Sequence, residues 1–165
     1  MLDPEPLLRQ LKKHQVEFVV IGGMAMVTHG SAHITSDLDI CYERTPQNIS
    51  ALAEALTPFH PYLRGAPRGL PFNFDAQTIQ AGLNFTLETD AGLLDVRGEV
   101  SGVGGFDQAI AQSKEYLVYG VPVRVLSLNA LIASKKAAGR VKDQTHLLEL
   151  EELRKLNEAS EEGDT

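Results

Sequence analysis

Two short segments decide the fold of this chain: Val-Glu-Phe-Val-Val-Ile-Gly-Gly at residues 16–23 and, after thirteen intervening residues, Asp-Leu-Asp-Ile at residues 37–40. The first six residues are mostly β-branched or aromatic, so they predict a buried strand that ends where the glycines begin. Gly23 then begins a short helix. Backbone N–H groups at a helix start, reached through residues without side chains, form a binding site for phosphate. We therefore expect Gly22 and Gly23 to shape a phosphate site.

Asp37 and Asp39 point to the same side of a second strand, because side chains alternate along a strand. Two like charges held this close favour a cation between them. Taken alone, an Asp-x-Asp pair is more often two exposed carboxylates on the polar face of an edge strand. The apolar neighbours Leu38 and Ile40, the glycine turn before them and a third acidic residue, Asp95, in a later strand favour a metal-carboxylate site instead.

The bulk composition limits the class of protein. With 165 residues, 43% of them hydrophobic, we expect a single domain over residues 1–156 and an acidic, flexible tail at 157–165. The net charge of -7 argues against a broad basic surface for nucleic acid. Cys41 is the only cysteine, so no intramolecular disulfide can form, and a reducing, cytoplasmic setting is expected. No stretch approaches the ~20 apolar residues of a membrane span, so no membrane contact is expected.

Periodicity and turn residues predict the elements along the chain. Helices are predicted at 6–14, 23–29, 46–56, 128–138 and 142–156, and strands at 18–21, 36–42, 84–89, 93–97, 116–119 and 121–126. Residues 58–82 are rich in proline and glycine and predict a long irregular connection. The strands at 84–89 and 93–97 flank a tight turn and predict a β-hairpin, which brings Asp95 into the sheet.

The pattern of apolar-Gly-Gly followed by Asp-apolar-Asp-apolar resembles the signature of the polymerase β-like nucleotidyltransferase superfamily. A second segment, Leu-Ile-Ala-Ser-Lys-Lys-Ala-Ala-Gly-Arg-Val-Lys-Asp at residues 131–143, looks like the Lys and Arg-x-Lys-Asp segment of small bacterial members. These include the abortive-infection toxins of type IV toxin-antitoxin systems. The resemblance covers roughly residues 16–150. It implies an α/β (α+β) nucleotidyltransferase fold, with a mixed central β-sheet flanked by helices and C-terminal helices that close the site.

The resemblance also implies roles for the three aspartates. Asp37 and Asp39 hold Mg²⁺, or Mn²⁺, on a nucleoside triphosphate, and Asp95 completes the site as a third ligand or as the base that takes a proton from the acceptor. Nucleotidyl transfer needs charge stabilisation and an in-line arrangement of oxygens more than covalent chemistry from the protein. One or two carboxylates and the substrate phosphates are a sufficient site for Mg²⁺.

Three residues near the C-terminus extend the predicted site. Lys135 shares the packed face of its helix with Leu131 and Ile132, so its ammonium reaches either solvent or a negative partner. The resemblance implies that it contacts the nucleotide phosphates. Arg140 is expected to contact phosphate or an acidic partner, although a solvated arginine is the ordinary case. Asp143 is equally a helix cap and a nucleotide-site residue.

Two positions depart from the superfamily pattern. His33 stands where related sequences often have arginine, so a phosphate or base contact made there is weaker and sensitive to pH. Gly23 stands where serine is common, so one hydroxyl contact is missing and backbone amides have to bind the phosphate.

The resemblance implies an enzyme that moves a nucleoside monophosphate from an NTP to a hydroxyl or phosphate of an acceptor and releases pyrophosphate. RNA 3′ ends, proteins and small antibiotics are acceptors in this group, and Arg64 and Arg68 of the irregular connection are candidates for holding one, although loop arginines are usually solvated. The alternatives are a weak or inactive nucleotide-binding member that acts through a partner such as an antitoxin, and a two-metal hydrolase.

Overall fold

A seven-stranded mixed sheet lies at the centre of the structure, a computed structural model that describes residues 3–163 except for the side chains of residues 142 and 161–163. The strands are β1 (Phe18–Ile21), β2 (Asp37–Tyr42), β3 (Tyr62–Leu63), β4 (Asn84–Thr89), β5 (Gly92–Arg97), β6 (Glu99–Val100), β7 (Gly104–Gly105), β8 (Ser113–Val118) and β9 (Val121–Leu126). Their order in the sheet is β3-β4-β5-β2-β1-β9-β8, while β6 pairs with β7 in a separate ribbon. β2 runs parallel to β5 and antiparallel to β1, which confirms the predicted mixed sheet.

The middle of the sheet is buried because β1 is apolar throughout and because β2 and β5 carry apolar side chains on the face opposite Asp39 and Asp95. All four residues of β1 are buried, and the side chains of Leu38, Ile40, Leu94 and Val96 have no exposed surface. Strands that are covered on both faces have this continuous apolar character. Cys41 is also fully buried and fills space between its neighbours.

Helices cover the sheet and begin where the sequence supplies caps. They are α1 (Pro4–Lys13), α2 (Gly22–Thr28), α3 (Pro46–Leu56), α4 (Ala76–Ala81), α5 (Phe106–Ala111), α6 (Leu128–Ala138) and α7 (Gln144–Gly163). The Thr45 hydroxyl accepts from the Asn48 N–H at the start of α3, and the Ser127 hydroxyl accepts from the Ala130 N–H at the start of α6. α2 packs on β2 and on α6, and α6 packs on α7, so these three helices surround the end of β2.

Several elements differ from the prediction. Residues 58–82 are not irregular throughout, because Tyr62–Leu63 pairs with β4 and Asp75 caps the short helix α4. A cluster of aromatic side chains that includes Phe72, Phe74 and Phe85 holds this segment against the fold. α5, β6 and β7 also have no counterpart among the predicted elements. The last helix continues to Gly163 instead of ending at Leu156, so most of the predicted tail is helical, and its residues 164 and 165 lie outside the described residues.

Among the described residues, no helix combines the length and the apolar character that crossing a membrane requires.

Candidate active site

The parallel pairing of β2 and β5 assembles the three predicted carboxylates. Asp39 lies opposite Asp95 in the register of the two strands, and Asp37 lies two residues before Asp39 on the same side of β2. One oxygen from each of the three carboxylates lies within 4.8 Å of the other two. The hairpin of β4 and β5 therefore delivers Asp95 to the Asp37 and Asp39 pair, as the alternation along the strands predicts.

The three acidic groups repel one another, and for Asp39 this repulsion adds to the effect of burial. Burial, the neighbouring carboxylate of Asp95 and that of Asp37 raise the pKa of Asp39 to about 7, against a smaller lowering by the Arg97 guanidinium. Oδ1 of Asp39 is buried and has no hydrogen-bond partner among the described residues. A buried, unpaired carboxylate oxygen beside two further carboxylates suits a hard cation such as Mg²⁺, which prefers oxygen ligands. The donor set therefore fits a divalent ion.

Gly22 makes room for this cluster. Its φ is +65°, in the left-handed region, and a Cβ at this position would lie 2.0 Å from Oδ2 of Asp39. Any side chain at residue 22 would collide with the carboxylate, so only glycine permits both the backbone conformation and the close approach. Gly22 therefore also leaves space for the Asp39 side chain, which the sequence alone did not predict.

Gly23 makes room for a different side chain. A Cβ at residue 23 would lie 2.6 Å from Oγ1 of Thr35. The Thr35 hydroxyl donates to the backbone carbonyl of Asp37 at 2.9 Å, so it is held in place beside the start of α2. A threonine hydroxyl therefore fills the space that a serine side chain at residue 23 would need, and Thr35 is a site residue that sequence reasoning missed.

Two arginines contact the aspartates, although the sequence predicted neither contact and suggested Arg64 only as a candidate for holding the acceptor. Nη2 of Arg64 donates to Oδ1 of Asp95 at 2.9 Å, and Nη1 of Arg64 lies 3.5 Å from Oδ2 of Asp37. Nη2 of Arg97 lies 3.5 Å from Oδ2 of Asp95. Strand parity could have revealed Arg97, because it follows Asp95 by two residues on β5. Arg64 lies in the aperiodic connection after β3, where no sequence pattern indicates a position. Arg68 is largely exposed and pairs with Glu88.

Lys135 and Arg140 share one buried carboxylate. Nζ of Lys135 donates to Oδ1 of Asp143 at 2.9 Å, and Nε of Arg140 donates to Oδ2 of the same residue at 2.7 Å. Asp143 is 1% exposed. Burial acts to raise the pKa of Asp143, but the hydrogen bonds and charges of Lys135 and Arg140 outweigh it and leave the pKa below its usual range. The negative partner of Lys135 is thus Asp143, and the described hydrogen bonds of the Asp143 carboxylate go to these two cations.

His33 lies beside this group without reaching the aspartates. Its ring meets the ring of His146 from α7 edge to face, with centroids 4.0 Å apart, and their Nε2 atoms are in contact. Burial, then the nearby charges of Lys135 and His33, lower the pKa of His146. The histidine pair therefore joins the segment before β2 to the last helix.

Two cavities meet at Asp39. The first, of about 490 Å³, is here called the aspartate cavity and contains Asp37, Asp95, Arg64, Asp143 and His146 in its wall. The second, of about 390 Å³, is called the glycine cavity and is lined by Gly22, Asn84, Glu99, Ser101 and Ser134. Asp39, Gly23, Arg97, Lys135 and Arg140 line both. Asp39 and the two C-terminal cations thus lie between two spaces, each large enough for part of a substrate.

No protein-family model matches this chain, and no curated protein matches it. Solved structures match it over nearly its whole length. A candidate nucleotidyltransferase from Thermotoga maritima is 19% identical with a TM-score of 0.58, over 96% of each chain. ANT(2″)-Ia in complex with adenylyl-2″-tobramycin is 15% identical with a TM-score of 0.61, over 96% of this chain and 88% of that chain. The solution structure of the antibiotic-resistance factor ANT(2″)-Ia is 16% identical with a TM-score of 0.54, over 90% of this chain and 78% of that one. The architecture of this chain is therefore the nucleotidyltransferase fold.

Proposed function

We propose that this protein is a nucleotidyltransferase that uses Mg²⁺ or Mn²⁺ to move a nucleoside monophosphate from an NTP to a hydroxyl or phosphate of an acceptor, with pyrophosphate as the leaving group. The observation that carries the proposal is the placement of Asp37, Asp39 and Asp95 within 4.8 Å of one another, with a buried, unpaired oxygen on Asp39. The nucleotidyltransferase fold supports it. A cytoplasmic location, where NTPs are abundant, belongs to the proposal.

The three carboxylates hold the cation in this proposal. A divalent ion bound there neutralises charge on the reacting phosphates and helps align the attacking and leaving oxygens. Asp95 is the third ligand or the base for the acceptor in this proposal, and in either role it exchanges a guanidinium contact, because both of its oxygens face guanidinium groups. Gly22 keeps the Asp39 carboxylate accessible from the glycine cavity.

Lys135 and Arg140 bind the phosphates that leave. Both cations line the two cavities next to Asp39, and Asp143 holds them in fixed positions before substrate arrives. Fixed positive charge costs no reorganisation when negative charge develops on the pyrophosphate. His33 and His146 line the aspartate cavity. A contact from either ring to the nucleotide base or to the acceptor depends on the protonation of that ring.

The acceptor is the open part of the proposal. A small-molecule hydroxyl is one class, because one structural neighbour is bound to adenylyl-2″-tobramycin. An RNA 3′ end or a protein hydroxyl are the other classes. Membership of the abortive-infection toxin branch, with a cognate antitoxin, is a further proposal that rests on the Lys135 to Asp143 segment.

One observation favours a second function, a nucleotide-binding protein with little or no turnover that acts through a partner. Each cation of the site is already paired with a carboxylate of the chain, Arg64 with Asp95 and Lys135 with Asp143. Incoming phosphates compete with these carboxylates for the cations, which weakens substrate binding.

The proposal is tested by incubating the protein with each α-labelled NTP, Mg²⁺ or Mn²⁺, and separate pools of RNA, protein and small molecules. Asp39→Asn is the inactive variant. Asp90→Asn is the matched control, because Asp90 lies in the turn between β4 and β5 and pairs with the exposed His60. Wild type and Asp90→Asn should both transfer label to one of the pools. Asp39→Asn should transfer none, and labelled NTP incubated without protein should leave the pools unlabelled. Nucleotide binding without transfer would support the second function, and release of labelled monophosphate without an acceptor would indicate a hydrolase.

A further inference from the structure

Arg64 occupies the side of the aspartate cluster that faces β4 and β5. Its guanidinium bridges two of the three carboxylates, since Nη2 lies 2.9 Å from Oδ1 of Asp95 and Nη1 lies 3.5 Å from Oδ2 of Asp37. Of the described residues, none other than Arg64 forms an ion pair with Asp37 in this structure. The chain thus supplies a positive charge of its own to the site that we assign to a divalent cation.

The position of Arg64 is fixed by contacts outside the cluster. Nη2 also donates to the backbone carbonyl of Leu87 on β4 at 3.1 Å, and the Arg64 N–H donates to the Thr86 carbonyl at 3.0 Å. The side chain is 27% exposed, and its Nε is buried without a hydrogen-bond partner among the described residues. An arginine held at its backbone and at its guanidinium loses little further freedom when it binds a carboxylate.

Some carboxylate oxygens of the cluster face a guanidinium group, and others do not. Both oxygens of Asp95 face guanidinium groups, Oδ1 that of Arg64 and Oδ2 that of Arg97. On Asp37, Oδ1 accepts from the Ser36 hydroxyl and Oδ2 faces Arg64. Oδ1 of Asp39 remains without a partner. A cation that takes one oxygen from each aspartate must therefore displace or share an arginine contact.

We infer that Arg64 is a built-in competitor of the divalent cation, which keeps the affinity of the free protein for the ion low. This inference rests on the proposed metal site and adds a residue that controls its occupancy. The ion is retained only when it arrives with the phosphates of a nucleotide, which supply further oxygen ligands. Arg64 is then released from Asp37 and Asp95 and can contact an anionic group of the nucleotide or the acceptor.

The test measures Mn²⁺ binding without nucleotide, from the electron paramagnetic resonance signal of the free ion, in wild type and in charge variants. Arg64→Gln should bind Mn²⁺ about tenfold more tightly, because one positive charge leaves a partly buried acidic cluster. Arg64→Lys keeps the charge without bridging two carboxylates, so an intermediate gain of about threefold is expected. Arg68→Gln is the matched control, because it removes the same charge from the same segment at an exposed position and should change the affinity by less than about twofold.

The outcomes separate this inference from the proposed function. Equal Mn²⁺ affinity in wild type and both Arg64 variants, with loss of binding in Asp39→Asn, would overturn the competition and leave the metal site standing. Equal gains of Mn²⁺ affinity in Arg64→Gln and Arg68→Gln would show that only the net charge of the protein matters, and this result would also overturn the inference. No Mn²⁺ binding in any variant without nucleotide would overturn the inference, because Arg64→Gln should bind the ion. Repeating the measurement with an NTP then tests the metal site itself, and no binding by wild type under that condition would contradict the site as well. Circular dichroism checks the fold of each variant, and Mn²⁺-induced stabilisation in thermal melts gives a second measure of affinity.

Discussion

Nζ of Lys135 on α6 donates to Oδ1 of Asp143 just before α7, over 2.9 Å and with both side chains largely removed from water. Asp143→Asn should lower the free energy of unfolding by about 3 kcal/mol, because it leaves Lys135 without its negative partner. Urea denaturation at neutral pH measures the change.

The matched control for this ion pair is Glu151→Gln, which breaks the more exposed pair between Lys136 and Glu151 of the same two helices. A pair that water can reach should contribute less than about 1 kcal/mol. Equal losses of unfolding free energy in the two variants would show that burial does not strengthen the contribution of the Asp143 ion pair to stability.

Gly22→Ala should remove activity and destabilise the protein by more than about 2 kcal/mol. Two costs add: strain of an alanine at a left-handed φ, and a collision with the Asp39 carboxylate, whose Oδ2 lies 2.0 Å from the position of the new Cβ. Gly65→Ala carries only the first cost, because Gly65 has a φ of +79° and nothing within 4 Å of its Cβ position. Thermal melts of the two variants separate strain from collision, and similar losses would contradict the crowding at residue 22.

Gly23→Ser should be destabilising by about 1–3 kcal/mol, since its side chain enters the space of the Thr35 hydroxyl. Adding Thr35→Ala should recover part of that loss, because it removes Oγ1, while the Cβ of residue 35 stays 3.0 Å from the position of the new Cβ. A double-mutant cycle measured by denaturation gives the coupling energy between the two positions. Additive effects would mean that the serine side chain finds room elsewhere and that Thr35 does not exclude it.

The raised pKa of Asp39 predicts a particular pH dependence of stability in the absence of metal. The ordinary aspartate pKa is 3.8 and that of the folded protein is about 7, so between these values the folded state binds more protons than the unfolded state. This one group therefore makes the protein less stable as pH rises from about 4 to about 7.

Thermal melts of wild type and Asp39→Asn in a chelating buffer isolate the contribution of this group. The stability of the variant relative to wild type should increase with pH across that range and level off above pH 7. Saturating Mn²⁺ should reverse the difference, since wild type then gains a ligand that the variant binds poorly. A difference that does not change with pH would contradict a neutral Asp39 in the folded protein.

The parts of the site that follow strand periodicity could be predicted from the sequence. Asp37 and Asp39 share a side because side chains alternate, and the hairpin that carries Asp95 is marked by its turn residues. Thr45 and Ser127 cap α3 and α6, and such caps can be recognised in a sequence because capping depends on residues close in the chain.

The parts that depend on contacts between distant segments could not be predicted. Arg64 reaches the aspartates because β3 pairs with β4 and its guanidinium binds the Leu87 carbonyl, and no local pattern encodes either contact. The same holds for the contact of His33 with His146 and for the choice of Asp143 as the partner of Lys135. Such arrangements are selected by packing and charge over the whole chain.

The register of β2 and β5 ties the chemistry of this protein to the completion of its folding. Asp39 and Asp95 lie opposite each other although the chain between them includes α3, β3, α4 and β4. A shift of one residue in this pairing would turn Asp95 to the other face of the sheet and bury a charge among apolar side chains. A chain with its other elements formed but with this pairing in the wrong register would lack the third carboxylate. Cation binding is therefore a direct reporter of correctly paired central strands, and an insertion of one residue between Gly92 and Asp95 should impair folding and cation binding together.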